Sequence, residues 1–139
     1  MIVNLQRKRN IDTRSLDEFR RLLLTTITEA NSRSVAIALI SDRRMKELNR
    51  LFRGKAGTTD VLSFPHVPDE FDPDKTSLGD IVISVEQAER QGQENGLTLD
   101  AEIRQLILHG LLHLCGYDHE TDNGEMNSRE LELREQIGI

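Results

Sequence analysis

The chain has 139 residues, a formal net charge of −6, 37% hydrophobic residues and 30% charged residues. This composition excludes a disordered or fibrous protein, and the length is typical of one compact domain, so we interpret residues 1–139 as a single domain. No apolar run approaches the roughly 20 residues that cross a bilayer, and the single cysteine, Cys115, fits a reducing compartment, so we expect a cytoplasmic protein with no membrane partner.

The charge is unevenly distributed along the chain. From Ser41 to Asp60 there are six basic and three acidic residues, whereas from Tyr117 to Ile139 there are seven acidic and two basic residues. An acidic protein binds nucleic acid only through a local basic surface, because phosphate contacts depend on Lys and Arg. Taken alone, the basic segment is more typical of a solvated helix face.

The N-terminal third predicts alternating strands and helices. Ile2–Leu5 has the pattern of a short strand. Ser15 and Glu18 form a capping-box pattern at the start of a helix that we expect to end near Asn31. The next segment, Val35–Ile40, is a continuous apolar run of strand length.

The middle of the chain predicts a second helix followed by a third strand. Ser41 is a typical N-cap for a helix that extends to Phe52, and a turn rich in glycine follows it. Val61–Phe64 alternates in the manner of a strand, which Pro65 should end. We expect an irregular loop over His66–Ser77.

The C-terminal half predicts one strand and three helices. The strand Ile81–Ser84 leads into a short helix that should end by Gly96, and Thr98 caps the next helix. Gly116 should end that helix, and a last helix covers Gly124–Gln136. The predicted fold class is therefore α/β, or α+β-like, with a mixed four-stranded sheet, about five helices and a metal-binding helix near the C-terminus.

Three of the four histidines lie within eleven residues. His109 and His113 are one helical turn apart, about 40° around the axis and roughly 6 Å along it, so their rings can approach one point. Gly116 can reverse the chain, which allows His119 to supply a third nitrogen. Three neutral imidazoles suit one Zn²⁺ per chain, with a coordination position left open.

Other residues near the histidines leave alternatives open. A closed structural site would need a fourth ligand, but Cys115 lies about 200° around the helix from His113. The spacing resembles that of metzincin proteases, except that Gly110 stands where those enzymes carry a glutamate base. Asp118 and Glu120 flank the third histidine. Either could be the missing base or a carboxylate that orients an imidazole, and both could equally be solvated acids beside a turn.

The segment from His109 to His119 resembles the signature of the YbeY-type endoribonucleases, which are bacterial rRNA maturation factors. Further blocks resemble the same family in the same order, and the similarity covers roughly Ser41 to Glu120. These blocks are Leu48-Asn49, Arg53-Gly54, Thr59–Pro65 and Leu78–Ser84.

The resemblance implies a zinc-dependent, single-strand-specific endoribonuclease that acts in 16S rRNA 3′-end maturation and ribosome quality control. Its expected partners are the 16S rRNA precursor and the ribosome or ribosomal proteins, and not DNA. By position, it implies that the three histidines bind zinc and that Arg53 is a catalytic arginine of the cleft. Lys55 lies in the same basic turn, and with Asp118 it completes the candidate catalytic set. A guanidinium there can hold a phosphate through paired hydrogen bonds.

Two other functions fit parts of the sequence. A zinc hydrolase acting on an amide or ester bond would explain the metzincin-like spacing, although Gly110 argues against it. A ribosome-assembly factor whose zinc only holds the C-terminal helices together would explain the histidines without catalysis. A metal with an open coordination position distinguishes the enzymes from the assembly factor.

Overall fold

The computed structural model describes residues 1–67, 70–71 and 76–139. Four strands form one sheet in the order β1-β2-β4-β3. β1, β2 and β4 are parallel, and β3 is antiparallel to β4. The strands are β1 (Ile2–Asn4), β2 (Ser34–Ile40), β3 (Val61–Pro65) and β4 (Ser77–Ser84). The predicted mixed four-stranded sheet is therefore confirmed.

Five α-helices and one 3-10 turn accompany the sheet in the described part of the chain. The first three helices are α1 (Thr13–Thr26), α2 (Asp42–Arg53) and α3 (Val85–Asn95). The last two are α4 (Leu99–Leu114) and α5 (Glu125–Ile137), and the 3-10 turn covers Thr28–Ala30. None of the helices in the described ranges has the length and hydrophobicity that a bilayer-crossing segment needs. The single-domain interpretation of residues 1–139 stays a prediction.

Alternate residues of β2 supply two apolar clusters. Ile37 and Leu39 belong to the main core, whereas Ile40 packs with Met45 of α2 and Leu62 of β3 in a smaller cluster. This division follows from the two-residue period of a strand, which sends neighbouring side chains to opposite faces.

The helix α4 lies in the main core and carries an apolar stripe of Ile103, Leu106, Ile107, Gly110 and Leu114. Every member of that stripe is buried, and so are further residues on its other sides, including Leu108, Leu111 and Leu112. The helix contacts both β3 and β4. Its two histidines are therefore carried by a rigid element, because a helix buried on most sides cannot shift without opening the core.

Gly79 allows β3 and β4 to approach closely. Its φ is +136°, and a Cβ at this position would lie 2.2 Å from the carbonyl oxygen of Phe64. Only glycine fits such a contact.

Several boundaries differ from the predictions. Asp12, not Ser15, caps α1, because its Oδ1 accepts a hydrogen bond from the Ser15 backbone N–H. That helix ends at Thr26 and not near Asn31, since Ile27 adopts an extended conformation before the 3-10 turn. Phe52 at the end of α2 is 64% exposed and does not belong to the core.

The strand β4 begins four residues before the predicted Ile81. Its first half pairs with both neighbours: Gly79 lies opposite Val35 of β2 and Pro65 of β3. Hydrogen bonding to β2 on one side and β3 on the other extends this strand. The sequence pattern of residues 77–80 alone does not show these partners. The predicted loop over residues 66–77 is correspondingly shorter, and its residues 68–69 and 72–75 lie outside the described residues.

Candidate metal centre and cleft

Two histidines project from the same face of α4. His109 and His113 have ring centroids 4.8 Å apart, which is the consequence of their four-residue spacing. Gly116, with a φ of +104°, reverses the chain just after the helix. The ring of His119 then lies 5.2 Å from that of His109 and 4.9 Å from that of His113.

Hydrogen bonds at Nδ1 orient the two helical imidazoles. Nδ1 of His109 lies 3.2 Å from Oε1 of Glu130, and Nδ1 of His113 lies 3.0 Å from the carbonyl oxygen of Tyr117. Both partners are acceptors, so each Nδ1 carries the proton and donates. The Nε2 lone pairs are therefore left for a metal ion, in the arrangement common among metal-binding histidines.

The donor set fits one divalent metal ion. The potential ligand nitrogens of the three histidines all lie within 4.8 Å of one another. Nδ1 of His119 is 3.2 Å from Nε2 of His113. Two nitrogens bound to a tetrahedral zinc ion at about 2.0–2.1 Å are about 3.3 Å apart, so this pair needs almost no movement to share an ion.

No fourth protein ligand joins this group within the described ranges, because the cluster of His, Cys, Asp and Glu side chains contains only the three histidines. Cys115 is partly buried and packs against the main core. Burial raises the pKa of its thiol to about 11, so the thiol stays protonated at neutral pH. The donor set therefore leaves a position for another group.

Electrostatics favour the metal-binding form of these side chains. Burial lowers the pKa of His113, and the neighbouring His109 lowers it further. A neutral imidazole is the form that binds metal. Burial raises the pKa of Glu130, but its hydrogen bond to His109 and the nearby charges outweigh that effect, and the net shift is downward.

Gly110 explains why α4 lacks the glutamate of the metzincins. A Cβ at Gly110 would lie 3.1 Å from Oγ of Ser63 and 3.1 Å from Cγ2 of Ile81. The helix backbone thus packs directly against β3 and β4, which leaves no room for a long side chain. The Ser63 hydroxyl donates a hydrogen bond to the Gly110 carbonyl across this contact, at 3.3 Å.

The histidines lie in a cleft of about 810 Å³, which we call the metal cleft. One wall is formed by Phe52, Arg53 and residues 59–65, which include β3, and the other by the end of α4 with the turn that follows it. Residues used below that line it are Phe52, Arg53, Ser63, Asp118 and the three histidines.

The metal cleft brings together most of the predicted site residues. Arg53 lines it, is exposed, and has no hydrogen-bond or ion-pair partner among the described residues. Asp118 also lines it, and its Oδ1 accepts a hydrogen bond from the backbone N–H of Glu120 at 3.1 Å. Lys55 is exposed and does not line the cleft. Only Lys55 of the predicted set therefore lies apart.

The residues that support the histidines from behind are not apparent from the sequence. Glu130 is buried on α5, and Tyr117 acts through its main-chain carbonyl. Neither lies at a spacing that marks a metal site. The sequence signal for Glu130 is its helical spacing from Met126 and Leu133, which places a glutamate on the apolar face of the last helix. That spacing does not show which residue it contacts.

A second support holds the turn that carries His119. The Glu29 carboxylate accepts hydrogen bonds from the Tyr117 hydroxyl at 2.7 Å and from two nitrogens of Arg129 at 2.9 Å. The Arg129 hydrogen bond is the main cause that lowers the pKa of Glu29 to about 2. The 3-10 turn, the histidine turn and α5 are thereby joined by one ionised carboxylate.

Comparison with known proteins agrees with this geometry. The family described as Endoribonuclease YbeY matches residues 1–138. Endoribonuclease YbeY of Nautilia profundicola is 48% identical over 107 residues, which are 77% of this chain and 74% of that protein. Endoribonuclease YbeY of Aquifex aeolicus is 40% identical over 127 residues, which are 91% of this chain and 83% of that protein.

A solved structure shares the fold. The solution structure of TM1509 from Thermotoga maritima superposes with a TM-score of 0.65 at 28% sequence identity, covering 99% of this chain and 89% of that one. The resemblance that the histidine segment and the accompanying blocks indicated is thus confirmed across almost the whole chain. This chain belongs to the endoribonuclease YbeY family.

Proposed function

We propose that this protein is a zinc-dependent endoribonuclease that hydrolyses phosphodiester bonds in single-stranded RNA. One observation carries the proposal: three histidines able to bind a metal share a cleft with Arg53, an arginine that lacks a partner among the described residues. Family membership supports the reaction type, because the relatives are named endoribonucleases.

His109, His113 and His119 would hold the zinc ion. Three imidazoles without a fourth protein ligand are typical of catalytic rather than structural zinc sites. When bound, the ion supplies Lewis acidity at this end of the cleft. Glu130 and Tyr117 act by holding two of the imidazoles in the orientation and tautomer that metal binding requires.

Arg53 is placed to bind the scissile phosphate. Because Arg53 has no partner within the described ranges, its donors stay available, and a planar guanidinium can contact two phosphate oxygens at once. It can also stabilise charge that develops on those oxygens during cleavage. The exposed ring of Phe52, beside Arg53 on the same wall, offers a face on which an RNA base can stack.

Asp118 and Lys55 have more peripheral roles in this proposal. Asp118 is exposed in the cleft next to His119, so its carboxylate can take up a proton from the attacking group. Lys55 lies outside the cleft lining, and we assign it to the attraction of the RNA backbone toward the cleft.

The biological substrate that we propose is the 16S rRNA precursor, cleaved near its 3′ end on or beside the ribosome in the cytoplasm. The protein's net charge of −6 supports a need for ribosomal partners, because RNA alone is repelled by most of such a surface. Neither DNA nor a membrane is an expected partner.

A cleavage assay with matched substrates tests the proposal. The zinc-loaded protein should cut a single-stranded RNA, and should leave the duplex form and the DNA of the same sequence intact. His113→Ala should lose both metal and cleavage, whereas Arg44→Ala, an exposed arginine of α2 outside the cleft lining, should keep both. Metal content and circular dichroism on each preparation show whether the protein is folded. Undiminished cleavage by metal-free, folded His113→Ala would overturn the proposal.

A further inference from the structure

A second cavity shares His109 and Asp60 with the metal cleft as lining residues. It has a volume of about 470 Å³, within the range of small-molecule sites, and we call it the side pocket. Its walls come from α3, α4 and α5. Residues used below that line it are Asp60, Asn95, Glu102, His109, Glu130 and Arg134.

Glu102 in the side pocket is a buried carboxyl group without a complete set of partners. Glu102 is only 5% exposed, and its Oε2 has no hydrogen-bond partner among the residues that the structure describes. Burial raises its pKa, against a side-chain hydrogen bond from Asn95 and the nearby charge of Arg134, which both lower it. Leaving such a group unsatisfied is costly, so a ligand that donates hydrogen bonds to it gains binding free energy.

The pocket also contains an unused donor. Nε of Arg134 is buried and has no hydrogen-bond partner in the described part of the chain, although Nη2 forms an ion pair with Oε2 of Glu130 at 3.6 Å. A complementary ligand must therefore donate hydrogen bonds to the Glu102 carboxylate and accept one from the Arg134 guanidinium.

A second metal ion does not meet these requirements. Asp60, Glu102 and Glu130 all line the pocket, but within the described ranges only the three histidines come close enough together to bind one ion. An organic ligand that spans the separated polar groups fits the pocket better than a cation.

Nucleobases differ in how they meet a carboxylate. Guanine presents two adjacent N–H donors, at N1 and N2, together with a carbonyl oxygen at O6. Adenine and cytosine place a ring-nitrogen lone pair beside their amino group, and uracil places carbonyl oxygens on both sides of its single N–H. In each of these bases a lone pair would face an oxygen of Glu102. An ionised carboxylate has only acceptors, so the two groups would repel each other and form no hydrogen bond there.

We propose that the side pocket binds a guanine base of the RNA, with Glu102 accepting hydrogen bonds from N1–H and N2–H and Arg134 donating to a carbonyl oxygen. As a specificity subsite for the metal cleft, this assignment rests on the proposed function. Asp60 and His109 line both cavities, so a base in the side pocket adjoins a phosphate beside the histidines. Unstacked bases read at their Watson–Crick edge are the usual basis of sequence-specific RNA recognition.

The test compares guanosine with inosine, which lacks only the 2-amino group, by NMR titration of the full chain. Neither nucleoside carries a phosphate, and both bases can stack on Phe52 alike, so contacts at the metal cleft do not distinguish them. Guanosine should bind at least about tenfold more tightly than inosine, and should shift the side-chain amide resonances of Asn95. Equal binding of the two nucleosides, or binding of neither, would overturn the proposal.

Three variants locate the preference. Glu102→Gln should abolish the discrimination, because its amide nitrogen replaces one acceptor. Glu94→Gln, the same change at an exposed position of α3 outside the pocket lining, should keep it. Arg134→Gln should weaken the binding of guanosine and of inosine by a similar factor, because both carry O6. The ratio of their affinities should therefore stay as in the wild type. A full guanosine preference in folded Glu102→Gln would also overturn the proposal.

An RNA cleavage assay on the same wild-type preparation separates this inference from the proposed function. Guanosine binding without RNA cleavage would reject the nuclease activity and leave the base site standing. Cleavage whose rate is unchanged when each guanine near the cut is replaced by inosine would reject the base site and leave the nuclease standing.

Discussion

The carboxylate of Glu130 lies 3.2 Å from Nδ1 of His109, and 21 residues separate the two positions in the chain. Glu130 is buried on α5, so this contact connects the last helix directly to the metal centre. A buried acceptor behind a metal-binding imidazole fixes the ring orientation and raises the basicity of the other nitrogen.

We expect Glu130→Gln to weaken zinc binding by about 10- to 100-fold, because an amide is a weaker acceptor and its orientation is not fixed by charge. Competition with a chromophoric chelator measures the affinity. Glu135→Gln, an exposed position on the same helix, serves as the matched control. Equal zinc affinities for the two variants would show that Glu130 has only a structural role.

Arg53→Ala should reduce single-turnover RNA cleavage by about a hundred- to a thousandfold, since one donor aimed at developing charge is lost. Its melting temperature and zinc content should stay at wild-type values, because the side chain is exposed and unpaired among the described residues. Arg53→Lys should recover little activity, because a point charge does not replace two parallel hydrogen bonds.

Lys55→Ala tests whether a basic residue must line the cleft to contribute to catalysis. Lys55 lies two residues from Arg53 but outside the cleft lining, so its loss should mainly weaken RNA binding at low salt. Measuring cleavage at saturating RNA shows the difference. A loss of turnover as large as that of Arg53→Ala would place Lys55 in the catalytic set.

Gly110→Ala should destabilise the fold, although alanine is favoured over glycine in a helix by about 1 kcal/mol. The added Cβ would lie 3.1 Å from atoms of Ser63 and Ile81, and Ile81 is fully buried and cannot move aside. Overpacking of this kind costs about 1–3 kcal/mol. Urea denaturation gives the free energy of unfolding, and Asn127→Ala, at an exposed site on α5, reports the effect of helix propensity alone.

The Glu29 carboxylate predicts how stability depends on acid pH. Its pKa is lowered in the folded state to about 2, mainly by the hydrogen bond from Arg129, against an ordinary value of 4.5. A lowered folded pKa contributes stability that is present above pH 4.5 and is lost as the pH falls toward 2. Urea midpoints between pH 7 and pH 2 should therefore fall more steeply for the wild type than for Glu29→Gln. Glu18→Gln, which removes an exposed carboxylate of α1, should follow the wild type.

The sequence by itself determined the features that depend on neighbouring residues. Ser41 and Thr98 cap their helices as predicted, because an N-cap acts on a backbone N–H only three residues away. The convergence of His109 and His113 follows from the helical repeat in the same way. The chain reversal at Gly116 needs only one residue with positive φ.

Tertiary structure alone decided which distant groups meet those residues. Glu130, Glu29 and Arg53 reach the metal centre or its turn through contacts between elements that are far apart in the chain. The position of β4 between β2 and β3 is decided in the same way, because pairing on both sides lengthens it beyond its local pattern. Local periodicity carries no information about such partners, since burial and hydrogen bonding between remote segments arise only when the whole core packs.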